Sequence, residues 1–300
     1  MNLIEPKVEI IPQNSNDLDG IARQIELAGR TCYKSEDKIT DGSATLFVNK
    51  MIENGHTAML EHGTIYLKVP TKDWNMDEHE WQYMFPEGCR WVSINSDKDF
   101  VYITTNLRHI IEGNVGMKTA AQYMCEPTEF HEKRITARFT CDRGVSHELV
   151  RHRVFSFAQE STRFCNYSKD KFGNQLTYII PSWMELNPGE YSIERDSVGH
   201  RNIIGDGYYY DMSDGINEEP AFLYGLLTAE TSYFSMLHLG WTSQQARQLL
   251  PNALKTEVVM TGFVEDWKHF FELRCAKNAH PDMQLLANQL KEKFKISQII

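Results

Sequence analysis

One run of residues constrains this chain more than any other. Ile135, Ala137, Phe139 and Cys141 alternate strictly with Thr136, Arg138 and Thr140. Strand side chains point to opposite faces with a period of two, so this run reads as a half-buried strand with one apolar and one polar face. Lys7-Val8-Glu9-Ile10 alternates in the same way, as do Ile65, Leu67 and Val69 up to Pro70. Other stretches carry helical spacing. Leu18, Ile21, Ile25 and Ala28 share one face, and a second helix is expected from Ser43 through Leu46, Phe47 and Met51 to the Asn54-Gly55 stop. In the C-terminal third, Phe222, Leu223, Leu226, Leu227, Tyr233, Phe234 and Leu237 form the stripe of a long helix that Gly240 stops. Thr242-Ser-Gln-Gln245 fits a capping box for the next helix, which Pro251 ends. The fold class expected is α+β: a single compact domain, residues 1–300, of mixed strands with a helical C-terminal half. Residues 71–134 read as an inserted segment on the same core, with helical stretches near 104–124, and 187–215 as a polar surface excursion.

Composition narrows the functional classes. A hydrophobic share of 41% and an aromatic share of 11% exclude a disordered chain. No apolar run approaches the ~20 residues that span a bilayer, and the N-terminal residues show no secretory signal pattern. Cys32, Cys89, Cys125, Cys141, Cys165 and Cys275 are scattered without a Cys-x-x-Cys pair, and read as reduced thiols. A cytoplasmic protein, off the membrane, is the expectation. The formal charge of −10 argues against a general nucleic-acid coat, while leaving room for a local cationic pocket.

Such a pocket is signalled between His147 and Phe164. Glu148, Arg151, His152, Arg153, Glu160 and Arg163 are interleaved there with Phe155, Phe157 and Phe164. Arg supplies planar, permanently charged forks that grip phosphate or carboxylate, and aromatic walls exclude water from such contacts. The bland reading is a solvated helix face in which Glu148 pairs with Arg151 or His152. Farther on, Trp267, Phe270, Phe271 and Arg274 follow a 0, 3, 4, 7 spacing that puts a guanidinium on an apolar stripe. A charge there is expensive unless an anionic or hydrogen-bonding group meets it. The competing reading is a helix-end Arg that snorkels outward.

Arg151-His152-Arg153, seven residues and then Ser161, with Gln159-Glu160-Ser161-Thr162-Arg163, resembles the signature of the flavin-dependent thymidylate synthases. His56-Thr-Ala-Met-Leu-Glu61-His62 resembles the family's upstream His-x4-Glu-His stretch. Ala246-Arg247-Gln-Leu-Leu-Pro251 and Phe270-Phe-Glu-Leu-Arg274 resemble its C-terminal half. The resemblance covers roughly 17–69, 135–185 and 220–295, which marks a long member. It implies the family's fold and reductive methylation of dUMP to dTMP. Methylenetetrahydrofolate would give the carbon, FAD would carry the hydride, NADPH would reduce the flavin, and the assembly would be a homotetramer. Carried over by residue, the resemblance implies flavin contacts from His56, Glu61, Arg151, His152, Arg153, Glu160 and His269. It implies a dUMP cradle of Glu160, Ser161, Thr162 and Arg163, built from backbone amides and the Arg163 fork, with Glu148, Arg151 and Arg247 also at the nucleotide. Arg274 would sit at the pyrimidine and favour its ionised N3 form.

Four positions depart from the family's pattern: Glu148, where Gln is frequent; Phe164, where Tyr is common; Phe263, where a flavin-binding Asn is expected; and His269. No metal is expected. His56, Glu61 and His62 as ligands of a metal-dependent hydrolase lack the i,i+4 His pair of a zinc-protease helix. A nucleophilic Cys165 or Cys32, with a thiol acidified by the cationic motif, is a second alternative. A non-catalytic nucleotide-binding module is a third.

Overall fold

The alternating strand lies inside the central sheet. In the computed structural model, which describes residues 1–76, 81, 83–86, 88–113, 115–215 and 217–299, it is β6 (Arg134–Asp142). Elements are numbered here in chain order. β6 runs between β2 (Lys7–Ile11) and β12 (Lys255–Phe263), and β7 (Ser156–Gln159) pairs with β12 on its other side, all antiparallel. The register sets Phe139 between Val8 and Val258, so one face presents a continuous apolar row. Two helices cover it, α9 (Val264–Arg274) and α10 (Pro281–Ile296), through Trp267, Phe270, Phe271, Leu286 and Phe294. On the opposite face, Ala158 and Val259 meet Ala28 of α1 (Leu18–Tyr33). Asp17 caps α1 by accepting from the Gly20 amide, and Lys34 ends it in the left-handed conformation.

The 71–134 segment forms more strand than its sequence suggests. β3 (Thr64–Pro70), β4 (Ser93–Ser96) and β5 (Phe100–Asn106) make a second antiparallel sheet in the order β3-β5-β4. Residues 104–106, expected to be helical, complete β5; the helices are α4 (Leu107–Glu112) and α5 (Met117–Tyr123). Val101-Tyr-Ile-Thr-Thr105 is buried on both faces, so it shows no period of two, and β-branched and aromatic content is its only local strand signal. This sheet has its own apolar cluster, in which Ile65, Leu67, Val101 and Ile103 pack with Ile21 and Ile25 of α1 and Phe47 of α2 (Ser43–Glu53). It is therefore not part of the core behind the central sheet.

The 187–215 stretch is likewise ordered rather than an irregular excursion. β9 (Gly189–Arg195), β10 (Arg201–Gly205) and β11 (Tyr208–Asp211) form an antiparallel meander joined to β1 (Asn2–Ile4) and, through it, to parallel β8 (Thr177–Ile179). Tyr191 and Ile203 are buried with Leu3 and Tyr178 against Leu223, Leu226, Leu227 and Tyr233 of α7 (Glu218–His238). The turn residues dominate its composition and conceal the alternation. Gly240 is left-handed after α7, and the Thr242/Gln245 capping box opens α8 (Ser243–Ala246). No helix of the described residues is long and apolar enough to cross a membrane.

Candidate active site

Arg274 ends α9 on the same face that buries Trp267, Phe270 and Phe271, and the chain meets its charge. One guanidinium nitrogen donates to Glu148 Oε2 at 2.7 Å, another to the Glu148 carbonyl at 3.2 Å, and Nε donates to His152 Nε2 at 2.8 Å. Glu148 therefore pairs with Arg274, across 126 residues of chain, and not with its helical neighbours Arg151 or His152. Helix α6 (Arg143–Leu149), capped by Asp142, presents Glu148, and the turn that follows presents His152. An arginine Nε can only donate, so His152 Nε2 is unprotonated and the ring proton sits on Nδ1. Burial against Phe270, with the Arg274 charge beside it, lowers the His152 pKa to about 4.

A second group gathers around Glu61. Its carboxylate accepts from Arg108 at 2.6 Å and from the Ser156 hydroxyl at 2.6 Å, and Arg90 stands 3.9 Å away. The sheet register dictates this meeting. Thr64 pairs with Asn106, so the turn before β3, which carries Glu61, faces the start of α4, which carries Arg108. The Leu107 amide donates to the Gly63 carbonyl at 3.0 Å and closes that junction. With Arg153, Ala58, Val150, Phe155 and Phe157, these residues line a cavity of about 430 Å³. Arg90 and Arg108 lie outside every motif; no spacing in the sequence singles them out.

The expected nucleotide cradle forms only in part. Glu160 is buried and accepts from Lys255 at 2.8 Å and from the Tyr167 hydroxyl at 3.3 Å, in a separate cavity of about 360 Å³. Lys255 also reaches Glu257, which Lys34 contacts from the other side. Burial alone would raise the Glu257 pKa, but Lys255 and Lys34 hold it down to about 2. The backbone amides of Glu160 and Ser161 are not free for a ligand, contrary to the cradle reading. The Glu160 amide continues the β7–β12 ladder to the Glu257 carbonyl, and that of Ser161 donates to the Cys32 carbonyl. Thr162 is buried, whereas Arg163 is exposed and donates to Gln244 of α8 at 2.7 Å, beside exposed Arg247. Lys255 and Glu257 had one local signal, opposite charges two apart on a strand. Arg151 is exposed in the turn after α6.

His56 is exposed, and His269 is exposed with Nδ1 3.4 Å from Glu272. Neither joins the groups above. Phe263 packs its ring under the Arg134 guanidinium at 5.6 Å. His62 is a core residue: Nδ1 meets the Thr261 hydroxyl at 2.8 Å, and burial, with Arg134 nearby, lowers its pKa to about 3. Among the described residues no three His, Cys, Asp or Glu side chains gather as metal ligands. The thiol reading is also corrected, because burial pushes Cys165 up to about 12 and Cys32 up to about 11. A buried thiol beside the Glu160 carboxylate cannot gain the acidity that proximity to a cationic motif suggested.

Within one chain, then, the motif residues fall into three groups: Glu148, His152 and Arg274; Glu61 and Arg153; and Glu160 with its lysine. Comparison with known proteins agrees with the motif. The chain is 24% identical over 281 residues to the flavin-dependent thymidylate synthase of Corynebacterium efficiens, covering 93% of this chain and 77% of that one. It is 27% identical over 275 residues to that of Corynebacterium diphtheriae, covering 90% and 73%. A solved UMP/dUMP methylase from Streptomyces cacaoi aligns over 99% of this chain and 93% of its own at 15% identity, with a TM-score of 0.43. The family model of the thymidylate synthase complementing proteins matches residues 124–296, more than half of the chain, and includes the Arg-His-Arg segment and Arg274. The chain belongs to the thymidylate synthase complementing protein family.

Proposed function

We propose that this protein is a flavin-dependent thymidylate synthase, which methylates dUMP to dTMP with methylenetetrahydrofolate as carbon donor, FAD as hydride carrier and NADPH as the reductant of the flavin. The observation that carries the reading is the hydrogen-bonded group of Glu148, His152 and Arg274 in a chain of this family. The donor set fits FAD: guanidinium groups suit its diphosphate, and Phe155, Phe157 and Val150 offer flat apolar wall beside them. Glu61, Arg151, His152 and Arg153 would hold the flavin, joined from the exposed surface by His56 and His269, with Glu160 behind them. FAD would supply the redox chemistry; the chain supplies position and electrostatics.

Arg274 is the proposed catalytic residue. Of the five N–H groups of its guanidinium, three are engaged by Glu148 and His152, which leaves two directed donors for a pyrimidine edge. A fixed cation there favours the N3-ionised uracil and so raises electron density at C5. A neutral His152 adds no second positive charge to compete. Ser161, Thr162, Arg163 and Arg247 would bind the nucleotide, with Arg163 and Arg247 on its phosphate; Glu148 and Arg151 complete the nucleotide side. The separation of the three groups, and the exposure of Arg151, Arg163 and Arg247, favour a site shared between subunits of a homotetramer. The protein would work in the cytoplasm, with neither nucleic acid nor membrane as partner.

The test is anaerobic mixing with dUMP, methylenetetrahydrofolate and NADPH, followed by product analysis, on protein whose flavin absorbance and mass in solution are measured first. A yellow tetramer that forms dTMP is expected. A colourless protein that gains no flavin from added FAD and makes no dTMP overturns the reading.

A further inference from the structure

The cavity beside Glu61 has a charge balance that the family motif does not explain. Three guanidinium groups line it, from Arg90, Arg108 and Arg153, against the single carboxylate of Glu61. Glu112, outside the lining, takes a second contact from Arg108 at 2.8 Å, and the described groups still carry one positive charge in excess. Two of the three arginines come from the 71–134 segment. They are held in place rather than waving in solvent. Both stack on Trp91 at 5.0 Å, and Arg90 donates to the Arg153 carbonyl at 2.7 Å, which ties the segment to the Arg-His-Arg motif. Preorganised forks of this kind recognise phosphate oxygens in two-point contacts. Phe155, Phe157 and Val150 complete a wall for a planar group, and about 430 Å³ lies within the range of small-molecule sites.

We propose that Arg90 and Arg108 form, with Arg153, a phosphate-ester subsite at this cavity, so that the 71–134 segment contributes to ligand binding. The inference rests on the functional reading above, which supplies two phosphorylated candidates, the FAD diphosphate and the dUMP monophosphate. Arg108 also anchors Glu61, so Arg90 carries the test: its side chain is 47% exposed, and Arg90→Ala leaves the fold intact.

Flavin-stripped wild type and Arg90→Ala are titrated with FAD, riboflavin, dUMP and inorganic pyrophosphate at low and high salt, following flavin fluorescence or heat. Arg108→Lys, with its thermal midpoint, serves as a second variant. The expected result is a 10- to 100-fold loss, about 1.4 to 2.7 kcal/mol, for one phosphorylated ligand, together with a shallower salt dependence and unchanged riboflavin binding. A loss confined to FAD assigns the diphosphate to this subsite, and one confined to dUMP assigns the monophosphate. Equal losses for FAD and riboflavin, or none for FAD and dUMP, overturn the proposal. If wild type binds neither flavin nor dUMP, it is the functional reading that fails, and pyrophosphate decides the subsite separately. Binding that Arg90→Ala abolishes supports it; no binding, or binding indifferent to Arg90, refutes it.

Discussion

Arg274→Lys separates a role in chemistry from a role in packing. The wild-type guanidinium makes three hydrogen bonds, two to Glu148 and one to His152, with 20% of its side chain exposed. An ammonium keeps the charge and can stay with the Glu148 carboxylate, but it lacks the plane that reaches the Glu148 carbonyl and His152 together. Two hydrogen bonds at ~1 kcal/mol each put the loss of stability near 2 kcal/mol. Unfolding entropy of about 2.1 cal/mol/K per residue, over 300 residues, is ~0.6 kcal/mol/K, so the thermal midpoint should fall by only about 3 °C. Turnover should suffer more. One preorganised contact to the reacting group is worth ~3 kcal/mol in the transition state, roughly a hundredfold in rate. The assay is single-turnover dTMP formation at saturating dUMP, beside a thermal melt of the same preparation. Turnover within threefold of wild type, or a rate loss accompanied by a midpoint drop beyond 10 °C, refutes the catalytic assignment.

Three further outcomes are expected. Ser161→Ala should retain measurable dTMP formation with weaker dUMP binding, because the Ser161 hydroxyl accepts from the Arg163 amide and no histidine is hydrogen-bonded to it; a trapped nucleotide adduct on Ser161 in the wild type would end that view. Stability should fall on acidification from pH 6.5 towards 4, since His152 and His62 are held at about 4 and about 3 in the fold and take up protons near 6.5 when unfolded. The unfolded state binds the extra protons, so each imidazole contributes up to ~1.4 kcal/mol per pH unit in that window, with its full stabilisation above it. Melts of wild type and His152→Gln across the window check this, and the variant should show the shallower slope. Gly262→Ala should destabilise by about 1 to 3 kcal/mol, because a Cβ there runs into the Phe155 ring behind β12; an unchanged chemical-denaturation midpoint would contradict the packing.

The sequence by itself determined the elements whose signal is local. β6 was legible because one of its faces is apolar and the other polar, so the period of two survives in Ile135 to Cys141. α1, α2, α7 and the Thr242 capping box were legible for the same kind of reason, since amphipathic spacing and caps are written within a few residues. The Arg-His-Arg segment and the Arg274 stripe were visible as charges that needed partners. Which partners they found was decided only by the tertiary structure. β5 erased its own period by burying both faces, and Glu148 reached Arg274 across 126 residues rather than its neighbours on the helix. Arg108 met Glu61 because Thr64 pairs with Asn106, and Lys255 took Glu160 because β7 runs beside β12. Charges carry no record of sequence distance. Their pairing follows from sheet register and helix packing, and the side-chain pattern along the chain does not encode either one locally.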